Sequence, residues 1–223
     1  ARLYKRQQNV QQSWFHPFFQ IITENCRKID LPKRLEDVGF IIFNYDRCFE
    51  HYFSMALQNY YNISDTEANT IVNEMSIIHP YGSVGSLPFQ SSGIKIGFGE
   101  NPDINSILSL SHEIKTFTES RITNFDSARN ISNFLNGISK IVFMGFAFHK
   151  LNMDLLFSKP LIKVYDKLNT NISCYGSAFS ISPNDVQTIS NRIRNGFGTQ
   201  IEINLIDKKC YDFINYFWRS LSF

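Results

Sequence analysis

Cysteine is scarce in this chain of 223 residues: its four, Cys26, Cys48, Cys174 and Cys210, lie far apart and form no C-x-x-C pair. That argues against a zinc ribbon or a dithiol redox centre and leaves reduced, buried or incidental thiols, so no metal is expected. Charge of one sign is also lacking, since 22 Lys and Arg stand against 20 Asp and Glu for a net +2. No strong field therefore recruits nucleic acid or an anionic membrane, and a small, roughly neutral ligand fits better than a polyanion. No apolar stretch approaches the roughly 20 residues of a membrane span. The opening Ala1-Arg2-Leu3-Tyr4-Lys5-Arg6 leads into Gln-rich sequence rather than a signal-peptide core. These absences predict a cytoplasmic protein with no membrane partner. Internal repeats and low-complexity linkers are missing too, and with 43% hydrophobic and 15% aromatic residues the chain is expected to bury a substantial core as one domain over 1–223.

What is present is an alternation of apolar runs and amphipathic stretches. Trp14, Phe15, Phe18, Phe19, Ile22 and Cys26 recur at spacings of three and four, the stripe of a core-facing helix between about Gln12 and Lys28. A turn-like stretch, Asp30 to Asp37, precedes a strand at Phe40-Ile41-Ile42-Phe43, followed by a helix through Phe49, Tyr52, Phe53 and Leu57. Ser64 with Glu67 three residues later reads as a capping box for a helix reaching about Met75. Ser76-Ile77-Ile78-His79 reads as a second strand, Gly93 to Gly99 as a short alternating one, and Ile104 to Phe117 as a helix. From Asp126 a helix carrying Ile131, Phe134, Leu135 and Ile138 feeds a third strand, Lys140 to Phe148. A helix from Asn152 to Leu156, a strand at Ile172 to Gly176, a helix from Pro183 to Arg194, a strand from Ile201 to Leu205 and an aromatic helix from Cys210 to Trp218 complete the plan. Strands separated by helices predict an α/β fold, a Rossmann-like, mostly parallel sheet with helices on both faces.

Three of these strands end in polar or flexible residues: Asn44-Tyr45-Asp46, His79-Pro80-Tyr81-Gly82-Ser83, and Met144-Gly145-Phe146-Ala147-Phe148-His149. Open α/β sheets bind ligands at the carboxyl ends of their strands. Residues two apart on an extended segment point the same way, so Asn44 and Asp46 are placed to grip one ligand with an amide and a carboxylate. The competing reading is that one of them caps the helix that follows. Gly82 and Ser83 offer backbone donors suited to phosphates, or an ordinary turn. His79 projects from the same face as Tyr81 or serves as a structural residue at the strand end, and His149 reaches the rim or faces water. Aromatic residues are abundant, but Lys and Arg are not interleaved with them, so no direct nucleic-acid binding is expected.

In this order the three strand ends resemble the sirtuin-like domains of bacterial proteins, in which an N-x-D strand end, an H-G-S turn and an apolar strand ending in G-[YF]-x follow one another. The resemblance spans roughly Val38 to Leu156, with a related flavour in Tyr175-Gly176-Ser177-Ala178-Phe179. It implies a domain that binds NAD and, as an NADase, hydrolyses its nicotinamide-ribose bond in antiviral defence, alone as a homo-oligomer or with a partner defence protein. It implies Asn44 as the contact to the nicotinamide ribose or the attacking water and Asp46 as the acceptor from the carboxamide. Gly82 and Ser83 are implied beside the phosphates, and Gly145, Phe146 and His149 where the nucleotide comes close. Two departures stand out. The glycines of the family's phosphate loop do not precede Asn44, so they are expected upstream of Ala1 or are lost. Tyr81 occupies the position of the catalytic His, and a phenol with an ordinary pKa near ~10 is a poor general base. That leaves His79 as the substitute and keeps a second reading open: a catalytically silent sensor of NAD or ADP-ribose, or an interaction scaffold. Protein deacylation fits poorly, because residues 82 to 145 contain no cysteine for a four-cysteine zinc module.

Overall fold

Aromatic residues at helical spacing and short parallel strands build the chain into two compact units, one of Ala1–Thr118 with Trp218–Phe223 and one of Glu119–Phe217. The computed structural model describes residues 13–91, 93–115, 130–131, 133–135, 137–157, 172–197 and 201–223. Both units are α/β, with parallel sheets flanked by helices, as a Rossmann-like arrangement requires.

In the first unit, α1 (Phe15–Thr23) buries Phe15, Phe19 and Ile22. The stretch expected to be a turn is instead helical, a 3-10 turn at Lys28–Asp30 leading into α2 (Leu31–Glu36). Pro32 stands in its first turn, where a missing N–H costs nothing, and Leu31 and Leu35 bury one face at i, i+4. Strand β1 (Gly39–Ile41) precedes α3 (Cys48–Tyr61), which stops at Asn62 in the left-handed conformation. Helix α4 (Asp65–Glu74) starts on the anticipated cap, the Glu67 N–H donating to Ser64 Oγ at 3.2 Å. Strand β2 (Ser76–Ile78) pairs with β1 in parallel, Gly39 opposite Ser76 and Ile41 opposite Ile78. An aromatic cluster fastens this sheet to α1 and α3. Phe40 and Phe49 lie 4.4 Å apart, Phe49 and Phe53 4.6 Å, and Phe53 is fully buried. The residues expected to form a strand from Gly93 to Gly99 are a loop, tied down by Ser86 N–H to the Ile94 carbonyl and Ile96 N–H to the Ser86 carbonyl. Gly93 and Gly99, at φ 80° and 79°, turn the backbone instead of extending it. Helix α5 (Ile104–Ser111) follows, capped by Asp103 and shorter than expected; Phe117 lies outside the described residues.

The second unit holds β3 (Lys140–Phe143), α6 (Lys150–Leu156), β4 (Ile172–Ser177), α7 (Pro183–Phe197), β5 (Ile201–Ile206) and α8 (Cys210–Tyr216). Ahead of β3, residues 130–131 and 133–135 are helical, with Ile131 and Leu135 buried; Asp126 lies outside the described residues. The sheet order is β3-β4-β5, all parallel, with Lys140 opposite Ser173 and Ile172 opposite Ile201. The central strand is the most buried, as a strand flanked on both sides should be. β3 ends five residues before the expected boundary, because Ala147 and Phe148 adopt φ of 54° and 51°, conformations no strand contains. The aromatic helix expected through Trp218 breaks at Phe217, and α9 (Trp218–Leu221) belongs to the first unit, where Ser222 Oγ donates to Glu24 Oε2 at 3.1 Å. No helix among the described residues is long and apolar enough to cross a membrane.

Candidate functional site

Because β1 and β2 run parallel and side by side, the loops that leave their carboxyl ends emerge on the same edge of the first unit. The Val84 N–H donates to the Tyr45 carbonyl at 2.8 Å, and His79 Nδ1 lies 3.1 Å from the Asn44 carbonyl. These two bonds bring Asn44, Asp46, His79, Tyr81, Gly82 and Ser83 onto one rim.

Beneath that rim lies a charge cluster that the sequence reading did not assign. Glu50, in the first turn of α3, is fully buried. Its Oε1 takes Arg47 Nη2 at 2.5 Å and His79 Nε2 at 3.0 Å. Arg47 extends the network upward through Nη1, which donates to Ser83 Oγ at 2.9 Å and to the Gly85 carbonyl at 3.2 Å. His79 thus faces an acceptor on each side, the Asn44 carbonyl at Nδ1 and the Glu50 carboxylate at Nε2. Burial pushes the Glu50 carboxyl up, but the His79 hydrogen bond and the Arg47 and His79 charges outweigh it and hold the group below its ordinary value. Glu50 Oε2 and Arg47 Nε, both buried, have no hydrogen-bond partner among the described residues. One signal for this cluster was in the sequence: a carboxylate wedged between Phe49 and the Tyr52-Phe53 pair, three residues after an arginine, on a face otherwise given to the core.

The residues singled out from sequence divide in their roles. Asn44 is exposed, and its backbone carbonyl meets His79 at the rim. Asp46 Oδ1 accepts the Cys48 N–H at 3.0 Å, so it satisfies the first N–H of α3 from one residue ahead of the N-cap Arg47, a variant of the capping role weighed against ligand contact. It also faces the Cys48 thiol, which burial and then Asp46 push up to about 12. Tyr81 is buried, packs edge-on to Phe43 at 5.7 Å, and is raised above the ordinary phenol value by burial and by Tyr45, which moves it further from the job of a base. His79 has both ring nitrogens engaged. Gly82 turns at φ 79°, and a Cβ there would run into the Glu113 carbonyl. Ser83 Oγ donates to the Gly85 carbonyl at 3.1 Å while receiving Arg47. His51 is half-buried and stacked on Phe98 at 3.9 Å, and its burial lowers its pKa.

Gly145, Phe146 and His149 belong to the second unit, in the loop after β3. Gly145 is exposed; Phe146 packs on Phe143 and Phe148 at 5.2 and 5.5 Å. His149 is exposed and caps α6, its Nδ1 accepting the Leu151 N–H at 3.4 Å.

Two shallow cavities of the first unit lie away from this rim. One of about 300 Å³ runs along α4 past Asn69, Asn73 and Phe89, and one of about 220 Å³ lies between α2 and α4. Neither of these two cavities is lined by the rim residues, whose groups are held by the hydrogen bonds named above. No group of three or more His, Cys, Asp or Glu among the described residues is arranged to hold a metal ion.

Fold and rim together define an α/β protein with a polar strand-end surface set over a buried ion cluster. No family model matches the chain, and neither a curated protein nor a solved structure does.

Proposed function

We propose that the chain recognises NAD or a closely related nucleotide on the strand-end rim of the first unit, in the manner of the sirtuin-like defence domains its motifs resemble. The observation that carries this reading is the parallel pairing of β1 with β2, which sets an exposed Asn44 beside the His79–Ser83 turn at the edge where open α/β sheets take their ligands. In the associated reaction water adds to C1′ of the ribose, nicotinamide leaves as a neutral ring, and ADP-ribose and a proton are formed. Such a step needs orientation and charge stabilisation more than a strong nucleophile, and on this reading the Asn44 amide orients the ribose or the water.

Binding without turnover is the second reading, favoured by one specific observation. The two residues nearest the position of a general base are both committed, Tyr81 to the core and His79 to Glu50 and the Asn44 carbonyl. Titration calorimetry with NAD and with ADP-ribose, together with nicotinamide release followed by chromatography, separates the two readings. Release that Asn44→Ala abolishes supports hydrolysis, and binding that Asn44→Ala weakens without release supports the sensor. Absence of both at millimolar NAD sinks nucleotide recognition.

A further inference from the structure

We infer that Glu50 is a positioning residue whose charge, relayed through His79 to the Asn44 carbonyl and through Arg47 to Ser83 and Gly85, holds the two loops of the rim in register. Three side chains carry the inference: Glu50 with no exposure, Arg47 with 10% and His79 with 11%. Among the described residues, the outward side-chain contacts of His79 and Arg47 fall on the Asn44 and Ser83–Gly85 segments, one from each arm of the cluster. Burying a carboxylate is costly even when it is paired, and Glu50 Oε2 and Arg47 Nε lack partners, so the cluster is a poor source of net stability. A hydrophobic side chain in α3 would serve the core better. What the charge supplies is direction, because Arg47 presents separate nitrogens to the carboxylate and to the loop, and His79 presents opposite ring edges to Glu50 and to Asn44. The loop-to-loop bond from Val84 N–H to the Tyr45 carbonyl lies between these two arms and is closed by them.

The ordering of the ligand-free loops stands by itself; its consequence for affinity rests on the nucleotide reading above. The test is amide hydrogen exchange on the full chain without ligand, comparing Glu50→Gln, which keeps the shape and removes the charge, with Glu50→Asp, which keeps the charge. In Glu50→Gln the Val84 amide exchanges about 10- to 100-fold faster, the size of losing a hydrogen bond to a charged group, while Leu57 and Val72 in α3 and α4 keep their protection. Glu50→Asp lies nearer to wild type. Unchanged Val84 exchange in folded Glu50→Gln overturns the assignment, as does equal acceleration at Val84, Leu57 and Val72. Should Glu50→Gln not fold, Arg47→Met with Glu50→Met removes both charges together. Fast Val84 exchange in that variant supports the assignment and wild-type protection overturns it. NAD affinity is then read separately. Selective loosening in a chain that binds no nucleotide keeps Glu50 in its positioning role and removes only the nucleotide reading.

Discussion

Replacing Gly82 by alanine tests whether this turn is set by the fold itself. Gly82 sits at φ 79°, donates its N–H to the His79 carbonyl at 3.0 Å, and leaves no room for a Cβ in front of the Glu113 carbonyl. Two costs add: roughly 1–2 kcal/mol for a left-handed L-residue and roughly 1–3 kcal/mol for forcing an atom against packed backbone. Gly99 provides the control, because it has the same φ of 79° with nothing within 4 Å of the added Cβ. Gly99→Ala therefore carries the conformational cost alone, and Gly82→Ala is expected to destabilise by about 1–3 kcal/mol more. Urea unfolding of the three chains, with slopes compared to confirm that the unfolded reference is unchanged, reads this difference directly. Equal losses in the two variants would refute the steric part of the reasoning and free Gly82 for a purely ligand-related role.

Acid lability is expected from Glu50. Its folded pKa lies below the ordinary glutamate value of 4.5, so its contribution is complete above that value and is lost as pH falls through the depressed folded one. Denaturation midpoints measured from pH 6 down to pH 3 should drop more steeply in wild type than in Glu50→Gln. Asp46→Ala should cost about 1 kcal/mol of stability through the lost helix-start bond; if calorimetry shows nucleotide affinity unchanged, capping is its whole role. Phe53→Ala, which empties the centre of the aromatic cluster of the first unit, should cost about 3–5 kcal/mol by the same unfolding assay.

The α/β plan was legible because alternation of apolar runs with amphipathic stretches is a strong signal, and β2, β4, β5 and the Ser64 cap fall where the pattern puts them. The failures have local causes. Asp30 to Asp37 looks like a turn because charged residues and Pro32 dominate it, yet Leu31 and Leu35 give a helix enough buried surface to form. The run from Lys140 to Phe148 is continuous in hydropathy, and nothing in Ala147 or Phe148 announces a left-handed backbone. At the rim, sequence could nominate Asn44 and His79 from the strands that precede them. It could not show that His79 and Arg47 share one carboxylate, because that meeting joins residues 29 apart in sequence through tertiary packing.

The helix α9 and the residues after it complete the first unit, Arg34 lying over the Phe223 ring at 5.0 Å. A chain made from its amino end thus begins this unit and must finish Glu119–Phe217 before the closing piece leaves the ribosome. The part of this unit made first is sealed only after the intervening unit, and until then the surfaces awaiting α9 stay open to the nascent chain's surroundings.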